Sequence, residues 1–175
     1  MRRILWILFV FTGFYMGLQS DILVRATPQK YRVFQLEFAS RAQGKQILHA
    51  WNDIPFSGKT LLQVAVNHTW LNDLLLVLFT SLLLLYSYLQ MQHEKWLRLN
   101  ELLRFNLLLT VGILLLGIEE NYLLLHNMRH VNDPLFYLNP FWIAIPMYLM
   151  AGWSLIILII SMVKSALKIK PGFAG

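Results

Sequence analysis

The sequence predicts an all-α, polytopic membrane protein: a bundle of four transmembrane helices with a partly ordered external loop between the first and second, in one membrane domain over residues 1–175. Two observations carry this reading. Hydrophobic residues make up 57% of the chain and charged residues only 14%, against roughly 25% charged in soluble domains. The apolar residues also gather into four runs of about 20, long enough to cross a hydrocarbon layer of ~30 Å, instead of recurring at the period of a soluble core.

The first run covers about 4–22 and follows Met1-Arg2-Arg3. Its start looks like a signal peptide, but Gly17-Leu18-Gln19-Ser20-Asp21 is a poor match to a small-residue cleavage site, so a retained anchor helix is expected. Gly13 and Gly17 form a GxxxG with Ser20 on nearly the same face, a helix-packing pattern that lets another helix approach closely.

Residues 25–68 form the long loop, expected to fold against the membrane surface. Residues 31–38 partly alternate and are expected to be extended, whereas Ser40 can cap a short helix whose Ile47, Leu48 and Trp51 share one face. Asn67-His68-Thr69 reads as a glycosylation sequon, though it lies close to the second span.

The second run, about 70–89, carries Asp73, Thr80 and Ser87 at seven-residue spacing, one stripe along a helix seam. In the short basic hairpin 90–104, Glu94 with Arg98 and Glu101 with Arg104 have helical pair spacing, which extends both flanking helices past the bilayer. On the third run, about 105–125, Asn106, Thr110, Gly117, Glu120 and Asn121 fall within an arc of roughly 100° and should face the bundle. The two stripes are expected to face each other, with Asp73 and Glu120 both in the outer third of the membrane. An unpaired charge there costs several kcal/mol, so each carboxyl must be protonated, hydrogen-bonded, hydrated or matched by a cation.

Glu119 points about 100° away from Glu120, so the adjacent acids do not form a shared-proton dyad. His126 and His130 have the spacing of a metal-binding pair, but Glu119 lies about 10 Å along the axis from His126 and cannot join the same ion. No metal and no cofactor is expected. The fourth run, about 140–163, has Ala144, Ala151 and, just beyond it, Ser165 on a small-residue stripe, with Pro146 placed to bend it.

Charge sets the orientation. Arg2 and Arg3, then Lys95, Arg98 and Arg104, then Lys164, Lys168 and Lys170 gather on one side, which puts the N- and C-termini in the cytoplasm. Arg25, Lys30, Arg32, Arg41, Lys45 and Lys59 of the long loop nearly balance them. The net charge of +6 is thus read as topological, and no nucleic-acid partner is expected. Cysteine is absent, which excludes disulfides, thiolate metal sites and a cysteine nucleophile.

In order and spacing, Leu36-Glu37-Phe38-Ala39-Ser40, then Ile47-Leu48 and Trp51, then Leu71-Asn72-Asp73, then Glu120-Asn121 resemble a family of small four-helix bacterial integral membrane proteins. In that family a Phe-Glu-Leu-Ala stretch follows the first helix, an Asp opens the second and a Glu-Asn pair closes the third. Leu36 stands where the pattern has Phe. The resemblance implies a multi-pass protein of the bacterial inner membrane, without an assigned activity, and singles out Glu37, Trp51, Asp73, Glu120 and Asn121.

The function expected is that of a non-enzymatic accessory or assembly subunit, set in the lipid bilayer and binding other membrane proteins or itself. The alternative is a small membrane enzyme, using the outer-leaflet carboxylates Asp73 and Glu120 with His68 as a further candidate, or a proton or ion carrier using Asp73 and Glu120. Against a carrier, the chain has little room for a pathway and no internal repeat. The candidate residues are Asp73, Thr80, Glu120 and Asn121 in the polar seam and Glu37 and Trp51 in the loop; no catalytic residue is assigned.

Overall fold

The computed structural model describes residues 2–93, 97–133 and 137–168. Lys95 and Lys170, two of the orienting basic residues, and Glu94 of the Glu94–Arg98 pair lie outside the described residues. In chain order the elements are α1 (Arg2–Ala26), α2 (Val33–Glu37), α3 (Arg41–Asp53), β1 (Pro55–Phe56), β2 (Lys59–Thr60), α4 (Leu61–His93), α5 (Leu97–Arg129) and α6 (Phe141–Lys168). Of these, α1, α4, α5 and α6 are long and apolar enough to cross a membrane.

Both central helices outrun the apolar runs that predict them. At 33 residues and 1.5 Å per residue, α4 and α5 are each about 50 Å long, well beyond the hydrocarbon thickness. The extra turns are held by packing. Leu61, Leu62 and Ala65 at the start of α4 are buried against the connection between α1 and α4, while Leu99 and Leu103 at the start of α5 are buried against the other end of the bundle.

α4 and α5 are the central pair, α6 packs along α5, and α1 packs along α4. α4 touches α6 lightly, and α1 makes no more than marginal contact with α6. An open seam therefore runs between the first and last long helices, floored by α4 and α5.

The connection between α1 and α4 forms a cap over one end. Residues 33–37, within the stretch expected to be extended, are a helical turn instead. The Gln35 side chain accepts the Arg32 backbone N–H at 2.9 Å, and helical spacing puts Val33, Leu36 and Glu37 together on the buried side. Strict alternation would have turned Leu36 and Glu37 to opposite faces.

Ser40 caps α3 as its sequence position suggests, its Oγ accepting the Gln43 N–H while Gln43 Oε1 accepts the Ser40 N–H. Ile47, Leu48 and Trp51 are buried on one face. A tight hairpin follows, antiparallel through Pro55–Thr60 and Phe56–Lys59, with Ser57 and Gly58 at φ of 48° and 77°. Gly58 supplies the left-handed turn without a side-chain penalty, and the hairpin delivers the chain directly into Leu61.

Two separate apolar cores result. One lies under the cap and includes Leu23, Leu36, Trp51, Leu61, Leu124 and Met128. The other includes Leu83, Leu99, Leu103, Ile113 and Ile157 toward the connection between α4 and α5. These ends are called the capped end and the hairpin end below.

Candidate functional site at the capped end

The stripe on α5 is buried along its length, with Asn106, Thr110, Gly117, Glu120 and Asn121 all inside, while Glu119 is exposed. Its bonds to α4 run through amides. Asn121 Nδ2 donates to Asp73 Oδ1 at 2.8 Å, and Asn121 Oδ1 accepts from Asn72 Nδ2 at 3.0 Å. Farther along, Asn106 Nδ2 donates to Ser87 Oγ at 2.9 Å. Thr80 is buried but turns its hydroxyl back to the Leu76 carbonyl at 2.8 Å, so it links no second helix.

Asp73 is thus bonded by Asn121 and not by Glu120. The reason is angular: consecutive residues on a helix point about 100° apart, so only one of residues 120 and 121 can meet α4 squarely. Glu120 is left to face elsewhere. It is 1% exposed, and its Oε1 meets no hydrogen-bond donor.

The second buried acid at this end is Glu37. The two carboxyls lie within electrostatic range of one another, although α2 and α5 are far apart in sequence. Glu37, itself 4% exposed, ends α2 and accepts a 2.9 Å bond at Oε2 from the Tyr148 hydroxyl of α6. Burial raises the Glu37 carboxyl above its ordinary range, and the Tyr148 bond offsets part of that shift. Phe34 and Phe38 flank Tyr148, with ring centroids 6.2 and 5.9 Å from it, and so tie α2 to α6.

His68 completes the group. It is buried on α4 with Nδ1 unbonded, and it lines a recess of about 350 Å³ together with Arg32, Glu37, Asn72 and Tyr148. A second recess, of about 290 Å³, is lined by Asn72, Gly117, Glu120, Asn121 and Tyr148. Asn72 and Tyr148 belong to both, so the two recesses are neighbours across those side chains.

No family model, curated protein or solved structure matches the chain. The residues that the resemblance singles out therefore rest on their geometry, and the geometry divides them. Glu37, Glu120 and, through Asn121, Asp73 surround the recesses. Trp51 does not: it is 0% exposed in the core under the cap, where it holds α3 to α4.

Gly13 and Gly17 line the first recess. A Cβ at Gly17 would meet nothing within 4 Å, and one at Gly13 would come no nearer than 3.8 Å to Leu75, so within this chain the pair leaves space instead of making a close helix crossing. The sequon residues lie inside α4, with Thr69 buried and bonded to the Ala65 carbonyl at 3.0 Å. His126 and His130 stack with ring centroids 4.2 Å apart, and His130 Nδ1 lies 2.8 Å from the His126 carbonyl. Among the described residues no group of three His, Cys, Asp or Glu side chains is placed to hold a metal.

Sequence reasoning missed one member of the site, Tyr148. Tyr148 shares a helical face with Ala144 and Ala151 and could have been found as a large polar side chain between two small residues of that stripe. His68, a candidate of the alternative enzyme reading, is found buried in a recess shared with Val33, Phe34 and Glu37 of α2.

Chemically, the site holds two buried carboxyls and a histidine, with one hydroxyl donating to Glu37 and no donor for Glu120 Oε1. It has acceptors to spare. A group that brings N–H donors and positive charge would satisfy them.

Proposed function

We propose that this chain is a non-enzymatic, multi-pass protein of the bacterial inner membrane that works by binding: the neighbouring recesses lined by Glu37 and by Glu120 receive a cation-bearing group presented by another membrane component. The observation that carries this reading is the unbonded Oε1 of Glu120, in a side chain 1% exposed on a recess that shares Asn72 and Tyr148 with the recess of a second buried acid, Glu37. An uncompensated buried carboxylate costs several kcal/mol, and an arriving cation with donors removes that cost. Transport is less well supported, because beyond Glu120 toward the hairpin end the seam passes to apolar side chains such as Phe79, Leu82 and Leu158.

In this reading the cap is external and both termini are cytoplasmic. Arg2, Arg3, Arg98, Arg104 and Lys164 then lie at the cytoplasmic end. A reporter inserted near Lys45 should be active only outside the cytoplasm, and one fused behind α6 only inside; the reverse pattern would invert the site's side.

The binding role is tested by purifying the full chain in mild detergent. A companion molecule that stays with the native protein and is lost from Glu120→Gln, with an unchanged melting temperature, is the expected result. Equal retention by native and variant chains would remove the role assigned to Glu120.

A further inference from the structure

The seam between α1 and α6 is more than a gap beside the acid pair. Three recesses follow one another along it and share walls. The first, with Arg32, Glu37 and His68, adjoins the second at Asn72 and Tyr148. The second adjoins a third, of about 280 Å³, at Phe9 and Phe79. The third is lined by apolar side chains including Leu82, Leu155, Leu158 and Ile159.

Polarity therefore changes in one direction along the seam. At the capped end there are charged and hydrogen-bonding groups; toward the hairpin end there are hydrocarbon walls. From His68 to Phe79 on α4 the distance is about 16 Å, close to the thickness of one leaflet of a ~30 Å hydrocarbon layer. Because α1 makes no more than marginal contact with α6, the seam opens sideways, in the direction from which a bilayer component would come.

We infer that the seam holds one phospholipid of the surrounding bilayer whose headgroup carries a primary ammonium next to its phosphate, an ethanolamine-type lipid. The ammonium sits between Glu37 and Glu120, the phosphate meets Arg32, and an acyl chain lies along Phe9, Phe79 and the apolar walls beyond. This inference rests on the binding role proposed above and names its ligand.

Three features select this headgroup. The unbonded Glu120 Oε1 and the Glu37 carboxyl need donors, and a primary ammonium supplies three N–H bonds where a quaternary ammonium supplies none. A buried acid on each of the two neighbouring recesses disfavours an anionic headgroup there, which argues against a lipid with phosphate as its only charged group. Arg32 lines the mouth of the same recess and forms no salt bridge among the described residues, so its guanidinium can take the phosphate. Small residues serve the same end: Gly17 leaves open the space that a larger side chain on α1 would fill.

The test uses the full chain, stripped of lipid in detergent and titrated with phosphatidylethanolamine, phosphatidylcholine or phosphatidylglycerol of identical acyl chains, with bound lipid counted by native mass spectrometry. One tightly held phosphatidylethanolamine per chain is expected, at an affinity about tenfold or more above the other two, the scale of losing charge-assisted hydrogen bonds. Glu120→Gln and Glu37→Gln should each remove most of that preference. Ala151→Trp, which fills the second recess from α6, should weaken all three lipids together. Lipid-free melting temperatures identify any variant that fails to fold, and the two amide variants are close enough in shape to serve where Ala151→Trp does not.

Equal affinity for the ethanolamine and choline lipids, or a preference for phosphatidylglycerol, would overturn the inference. If those lipids bind alike while a co-purifying protein is still lost on Glu120→Gln, the lipid assignment fails and the binding role stands. If neither lipid nor protein retention depends on Glu37 or Glu120, both fail.

Discussion

The two ends of the long-helix bundle place polar side chains at the same helical spacing and put them to different use. At the hairpin end the groups are neutral and join helices: Asn106 donates to Ser87, Asn100 donates to the Met91 carbonyl, and Gln90 Oε1 accepts from Ser161 and Ser165 at 3.2 and 3.0 Å. Asn106 Oδ1 and, farther along α6, Ser154 Oγ lack partners there, but among the described residues no carboxyl is buried with them. At the capped end the groups include Glu37 and Glu120, and the bonds available leave a carboxyl oxygen bare. Neutral amides and hydroxyls are cheap to leave partly unpaired. Buried carboxyls are costlier, since each must hold its proton or find a donor or cation, and the binding role proposed above would supply one.

If the ends differ in this way, they should also come apart under mutation. The largest effect is expected from Trp51→Ala, which removes a side chain 0% exposed in the capped-end core; such truncations cost about 3–5 kcal/mol. Hydrogen exchange should show α2 and α3 losing protection while amides around Ser87 and Asn106 keep theirs. Equal loss at both ends would mean one cooperative unit and would erase the distinction.

Next in size is Gly44→Ala. A methyl there would collide with the Tyr137 ring, which packs over α3 and whose hydroxyl donates to the Leu36 carbonyl at 3.3 Å. Burial pushes the Tyr137 hydroxyl up to about 12, so it keeps its proton and its donor role at any ordinary pH. Overpacking of this kind costs about 1–3 kcal/mol, and the loss should be confined to the capped end. An unchanged melting temperature would show that the ring moves aside freely.

How much of this was legible in the sequence follows from what each feature depends on. The four long helices depend on composition and run length, and these are local. The Ser40 cap and the Ile47, Leu48 and Trp51 face depend on spacing over a few residues, and they too could be read. The α2 turn was misread because residues 31–38 alternate only in part, and burial of Leu36 and Glu37 on one side is decided by α4 and α6, not by their neighbours. Glu37 and Glu120 were each singled out, yet their proximity rests on a tertiary contact for which no periodicity exists. The stripes face each other as their spacing suggests, but which of Glu120 and Asn121 meets Asp73 is a difference of about 100° that a helical wheel resolves only when the facing helix is known.

Double-mutant cycles sharpen the comparison at smaller scale. Ser87→Ala with Asn106→Leu, and Asp73→Asn with Asn121→Leu, should each show coupling of about 0.5–1.7 kcal/mol, the range of buried polar pairs between membrane helices. Asp73→Asn with Glu120→Gln should be additive within about 0.5 kcal/mol, because Asn121 takes the bond to Asp73. Strong coupling of that last pair would restore the carboxyl-to-carboxyl seam in place of the Glu37–Glu120 arrangement.

The smallest effect tests the acid cluster through pH. The folded state raises the Glu37 carboxyl above its ordinary range, so folding favours the protonated form. Its contribution to stability is therefore complete below the ordinary carboxylate range and is lost as the pH rises through the raised value. Glu37→Gln removes that titration and still offers Tyr148 a carbonyl oxygen to donate to. In lipid-free detergent the native and Glu37→Gln proteins should melt alike near pH 4, and the variant should melt higher by pH 8. A gap of a few degrees is expected, since one kcal/mol moves the midpoint by about 2–4 °C in a chain of this length. Adding a bound cation should close the gap, because a compensating charge beside Glu37 lets the ionised form persist without cost to the native fold alone. Parallel melting curves across the whole range would show that Glu37 is solvated like any surface acid, and the capped end would then be no more strained than the hairpin end.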